Sequence, residues 1–162
     1  MTTIATQRST ATTRRPAALK VVLALLVFLG VTAVAGGIGL VTDVGGMAPP
    51  ADWLDGIPII DSWLVPGLVL GIGFGFGSLL AAYGAMRRPR RASLARVEHA
   101  SGHHWSWLAT ILIGVGQALW IGLELVYLSE LSVLQLLYGP LGLALAVLPF
   151  TPSVSRYLRD EA

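Results

Sequence analysis

The sequence contains no cysteine, and only 12% of its residues are charged. The first absence excludes disulfide frameworks, zinc–thiolate sites, iron–sulfur clusters and thiol redox chemistry. Four-helix membrane enzymes that make or relay disulfides need cysteine pairs, so that class falls as well. The second absence argues against a water-soluble domain, which carries about 25% charged residues. Histidine is scarce too: His99, His103 and His104 all lie outside the apolar runs. A haem held inside a helix bundle needs histidines within the bundle as axial ligands, so that role is excluded.

What the chain does have is apolar length. Of its 162 residues 54% are hydrophobic, and the mean hydropathy is +0.71. Four runs dominate, predicting an all-α polytopic membrane protein with helices over about 18–41, 64–86, 105–128 and 131–150. At 1.5 Å per residue each reaches roughly 30 Å, the thickness of the hydrocarbon core. Residues 1–16 are rich in Thr, Ala and Ser and are expected to be disordered. Residues 17–155 then form the membrane domain and 156–162 a short tail. Arg14-Arg15 and Ala33-Val34-Ala35 resemble a twin-arginine signal and its cleavage site. A signal core is about 7–15 apolar residues, shorter than Val21 to Val41, so an uncleaved helix is expected.

The charges sort by gap. Arg8, Arg14, Arg15 and Lys20 precede the first run, Arg87, Arg88, Arg90, Arg91 and Arg96 separate the second from the third, and Arg156 and Arg159 follow the fourth. The loop 42–63 holds only acids: Asp43, Asp52, Asp55 and Asp61. The last gap holds Glu130 alone. This is the positive-inside pattern: both termini and the loop 87–104 in the cytoplasm, the loop 42–63 outside, in a bacterial cytoplasmic membrane. Arg87, Arg88, Arg90 and Arg91 are expected to contact anionic lipid headgroups, at about 1 kcal/mol each. No nucleic-acid partner is expected.

Gly67, Gly71 and Gly75 recur every fourth residue in the second run, with Gly73 and Gly77 as a second pair. Stacked small residues let another helix backbone approach, within the bundle or from a homo- or hetero-oligomeric partner. The glycines do not make a phosphate loop, because Phe76 stands where that fingerprint needs glycine and no strand precedes it.

Ionisable groups inside spans are costly and mark functional sites. Glu124 and Gln117 share one face of the third helix. With Gln135 and Tyr138 across a tight hairpin, they could form a ligand or proton site near the outer face. Trp120 and Tyr127 beside Glu124 would equally serve as interface anchors. Small multidrug transporters also combine four helices with one essential carboxylate, but theirs is in the first helix, so that family does not fit. His99 and His103 have metal-ligand spacing with no third ligand beyond His104, and no metal or other cofactor is expected. The loop carrying them is expected to be solvated or in contact with headgroups.

Residues Gly45 to Arg88 read Gly-Gly-Met-x-Pro-Pro, then Trp-Leu-x-Gly-Ile-Pro, Ile-Ile-Asp-Ser-Trp-Leu-Val-Pro-Gly-Leu-Val-Leu, a glycine-rich helix and an Arg pair. This stretch resembles small four-helix bacterial membrane proteins of uncharacterised activity. The resemblance implies a fold and no reaction, and it carries over no catalytic residue. The expected role is a non-enzymatic accessory subunit acting through helix contacts. A small-solute or proton-coupled carrier using Glu124 and Gln117 is the alternative, and a lipid-handling enzyme the third.

Overall fold

A computed structural model describes residues 15–54, 60–127 and 131–159, apart from the Asp52 side chain. Of the stretch 1–16 expected to be disordered, residues 1–14 lie outside these, as do the hairpin tip around Ser129 and Glu130, Asp55 and the last tail residues, while Arg15 donates to the Met86 carbonyl at 3.2 Å. Among the described residues there is no strand, only an isolated bridge between His103 and Arg159. Four helices are long and apolar enough to cross a membrane: Ala17–Thr42, Leu64–Arg87, Trp105–Tyr127 and Val133–Phe150. Their outward side chains are large and apolar, including Val31, Ile72, Leu119, Leu136 and Leu143. Such continuous apolar surface suits lipid and not water.

The first span ends at Asp43, whose φ of 50° is left-handed. A short polar side chain tolerates that conformation, and Asp43 Oδ1 accepts a hydrogen bond from the Ala48 N–H at 3.1 Å. The second span opens with Pro66 in its first turn, where a missing N–H costs nothing. It ends at Arg88, also left-handed at φ 48°, whose N–H returns to the Gly84 carbonyl. Ser132 caps the fourth span, with Gln135 Oε1 accepting from the Ser132 N–H at 2.9 Å.

The second span is not the uniform α-helix its apolar run predicts. Val69–Phe76 is π-helical. Three of those eight residues are glycine, so few side chains oppose the wider i→i+5 ladder. Gly67, Gly71 and Gly75 of this span face the first span. A Cβ on Gly37 would lie 2.6 Å from the Gly67 carbonyl oxygen and from Gly71 N and Cα. A Cβ on Gly75 would meet Val34 at 2.6 Å. The ridge is thus filled from within the chain. Gly122 has open space around it, and Gly73 meets only the Val69 side chain of its own helix, at 4.0 Å.

The third and fourth spans pack as closely. Gly114 lies against the backbone of Leu145 and Ala146, and Gly142 against Gln117 and the Ala118 N–H. The two hairpins join mainly at the arginine-rich end. Leu19, Val22, Leu26, Leu29, Ala81, Ala85 and Leu145 form the buried core there, sealed by Val154 and Leu158. Near the middle of the spans the links are aromatic: Phe28 stacks with Tyr138 and Phe74 meets Trp120 edge-on, with centroids 6.1 and 6.0 Å apart.

The loop 87–104 differs from the solvated segment expected of it. It contains a helix, Ala95–Ser101, with Glu98 buried. The segment expected as a tail from Arg156 is also partly structured, because Pro152–Leu158 forms a helix that buries Val154 and Leu158. Val154 and Leu158 are four apart and so share one face, which docks while Arg156 stays outside. In the acidic loop Leu54 is buried and the Met47 side chain packs on Gly39 of the first span.

Candidate functional site

Buried polar groups line the third span, with a cluster toward each of its ends. Glu124, near its acidic end, accepts a hydrogen bond from the Trp120 indole N–H at 2.6 Å. The spacing of four residues puts both side chains on one face. Gln135 reaches the same carboxyl group from the fourth span, across the hairpin. Gln117, two turns deeper, is 2% exposed, and its Oε1 has no hydrogen-bond partner among the described residues. Tyr138 does not join this group. Its ring stacks on Phe28 of the first span. The sequence-predicted set therefore divides: Glu124 and Gln135 meet, Gln117 stands apart on the same face, and Tyr138 supports packing between hairpins.

The indole bond makes a direct prediction. Glu124→Leu removes the acceptor and should destabilise the protein by about 0.5–1.5 kcal/mol, while Glu124→Gln retains an oxygen and should cost less. Reversible unfolding in mixed micelles measures both. Equal stability of the leucine variant and the wild type would show that the bond contributes nothing.

The second centre, at the arginine-rich end, went unread in the sequence. Glu98 Oε1 accepts the Trp105 N–H at 3.2 Å, the first turn of the third span. It also lies 3.6 Å from His104 Nε2. His104 is 3% exposed. Its Nδ1 lies 2.8 Å from Ser106 Oγ and accepts the Ser106 N–H at 3.3 Å, and its Nε2 lies 3.3 Å from the Pro89 carbonyl. A backbone N–H can only donate and a carbonyl can only accept, so this geometry suits a neutral ring protonated at Nε2. Negative charge and acceptors at a helix N-terminus satisfy its free N–H groups and its dipole. The cluster is, in the first place, a cap for the third span.

Around that cap the C-terminal helix is tied down. The His104 N–H donates to the Leu158 carbonyl at 2.7 Å. His103 stacks on Trp107 with centroids 4.3 Å apart, and its Nε2 lies 2.9 Å from Ser155 Oγ. Arg88 donates to the Arg159 carbonyl at 2.9 Å and its guanidinium lies over the Tyr157 ring. Arg87, Arg90 and Arg91 are exposed beside it. His99 is exposed on the loop helix, and no group of three metal-ligating side chains occurs among the described residues. The only sequence signal for this centre was three polar residues, Glu98, His104 and Ser106, flanking the start of an apolar run.

Comparison of the chain with protein-family models, with curated proteins and with solved structures finds no match.

Proposed function

We propose that this chain is a bacterial cytoplasmic-membrane protein with both termini inside, working as a non-enzymatic accessory subunit through helix contacts and anionic lipids. The observation that supports this reading is how the polar side chains are used. Glu98, His103, Arg88 and Gln135 bond to backbone atoms of loops and helix ends, while the long helices keep wide apolar outer faces. A partner helix would approach away from the filled Gly67–Gly71–Gly75 ridge, and Gly73 and Gly122 offer the open small-residue surface. Purification in mild detergent tests it: a stoichiometric partner should be retained by the wild type and lost by Gly122→Leu or Gly73→Leu. A wild type that purifies with lipid alone would overturn the accessory role.

Orientation has its own test, made clean by the absence of cysteine. Met47→Cys should react with an impermeant maleimide on intact cells, and Ser93→Cys only after permeabilisation. The reverse pattern would overturn the arrangement drawn from the arginines.

A second reading, a small-solute or proton-coupled carrier using Glu124 and Gln117, is favoured by one observation. The buried Gln117 Oε1 has no partner, and such a group is costly unless water or a ligand meets it.

A further inference from the structure

The buried polar side chains of the third span lie on one line. Ser106, Thr110 and Gln117 are each at most 2% exposed, and Glu124, half-buried, continues them. Gly114 and Ile121 occupy the intervening turns of the same face and are also buried. Residues three and four apart stack on one face of a helix, so the hydroxyl, amide and carboxyl groups follow each other through the bundle.

The second span adds one more. It runs antiparallel to the third: Gly84 faces Ser106, Gly77 faces Ile113, and Phe74 faces Gly116. That register places Ser78 at the depth of Leu112, between Thr110 and Gln117. Ser78 is fully buried and its Oγ has no partner among the described residues. Two unsatisfied oxygens, Ser78 Oγ and Gln117 Oε1, therefore fall in the middle third of the line. Simple helix packing does not call for them. Thr110, by contrast, satisfies itself by donating to the Ser106 carbonyl at 2.7 Å.

Each end of the line carries an ionisable group. Glu124 stands at the acidic end, and Ser106 Oγ meets His104, which in turn faces Glu98. We propose that this line is a proton path across the membrane, from Glu124 past Gln117, Ser78 and Thr110 to Ser106, His104 and Glu98. The proposal rests on the second reading above, in which Glu124 takes up protons, and it adds the route and the exit.

The steps balance. A proton arriving at the Glu124 carboxylate leaves it to a water held by the Gln117 oxygen. It moves through bridging waters and the Ser78 hydroxyl, which accepts one proton and releases its own, while Thr110, whose own proton stays on the Ser106 carbonyl, only accepts a hydrogen bond from a passing water. Ser106 Oγ–H then gives its proton to His104 Nδ1 and regains one from the water behind it. His104, protonated on both nitrogens for that moment, gives its Nε2 proton through a water to the Glu98 carboxylate 3.6 Å away, which releases it at the arginine-rich end. Exchange through water then returns the remaining ring proton from Nδ1 to Nε2. At 1.5 Å per residue the axial gaps are roughly 3–10 Å, so the path requires one to three waters to enter between the spans at each of the wider ones. Asp, Glu and His side chains along a span mark proton relays; here Glu124 within the third span and His104 and Glu98 at its start are the members of that kind.

The test uses the full chain in liposomes with entrapped pyranine and a potassium diffusion potential set by valinomycin. Wild-type liposomes should acidify or alkalinise faster than protein-free ones. Glu124→Gln should slow this by about tenfold or more, and Gln117→Leu, Ser78→Ala and His104→Phe by several-fold. Thr110→Ser, which keeps the hydroxyl, should conduct, and Leu143→Ala on the lipid face should match the wild type. Tryptophan fluorescence melts of every variant separate lost folding from lost flux. Flux no faster than in protein-free liposomes overturns the proposal. Flux that falls with Glu124→Gln but not with well-folded Gln117→Leu and Ser78→Ala overturns the route while sparing Glu124 as a proton site. Full flux in Glu124→Gln overturns the carrier reading itself.

Discussion

Gly114→Ala is expected to destabilise the hairpin of the third and fourth spans more than any other single added methyl group. A Cβ there would run into the Ala146 N atom, the Leu145 carbonyl carbon at 2.6 Å and the Gly142 carbonyl oxygen at 2.7 Å. All three are backbone, so nothing can swing aside and one helix must translate. Overpacking of a tight core costs about 1–3 kcal/mol and at times more. Gly37→Ala should behave similarly, because its Cβ would meet Gly67 and Gly71 backbone at 2.6 Å. Gly122→Ala is the opposite case. Nothing lies within 4 Å of its added Cβ, and alanine is favoured over glycine within a helix by about 0.8–1.0 kcal/mol. The three variants, unfolded reversibly in mixed micelles, should therefore rank Gly122→Ala above wild type and the other two well below it. Equal stabilities would refute the close helix contacts. Gly30 is intermediate, since its nearest neighbour is the flexible Leu79 side chain at 2.7 Å.

Glu98→Ala is expected to loosen the whole arginine-rich end. The carboxylate accepts the Trp105 N–H and faces His104 Nε2, so its removal strands a buried donor and strips the anion from a helix N-terminus. Each stranded buried group costs about 1–3 kcal/mol, with a further 0.3–1 kcal/mol from the helix dipole. Because His104 also holds the Leu158 carbonyl, the C-terminal helix should detach along with the loop. Tryptic cleavage at Arg96, exposed on the loop helix, reports this in detergent. It should accelerate by about tenfold or more, the equivalent of about 1.4 kcal/mol of added opening. Glu98→Gln retains an acceptor for Trp105 and should be cleaved at a rate between the two. Wild-type cleavage of the alanine variant would mean that the buried carboxylate does not hold the loop.

The candidate site was only partly legible. Glu124 and Gln117 could be found because a carboxylate and an amide stand out in an apolar run. Their separation from Tyr138 could not, since its rotation toward Phe28 depends on how the first span leans on the fourth. Ser78, Ser106 and Thr110 carry no signal in hydropathy, because a single small hydroxyl hardly changes the mean of a long apolar window. Glu98 and His104 looked like ordinary loop residues. His104 is held through its N–H by the Leu158 carbonyl, more than fifty residues away in the chain, and Glu98 lies beside His104 and the Trp105 N–H.

The amino-acid sequence by itself determined the helical class, the four apolar lengths and the alternation of arginine-rich with acidic gaps. Those are properties of each segment against its solvent, additive along the chain and readable one residue at a time. Tertiary structure alone decided that Gly37 meets the Gly67–Gly71–Gly75 ridge, that Gly114 is pinned while Gly122 is open, and that polar groups align through the bundle. These depend on the rotation and register of one helix against another. Apolar side chains face lipid and protein at nearly equal cost, so hydropathy leaves that choice open. It is made by backbone contact and by the few polar atoms that must find partners.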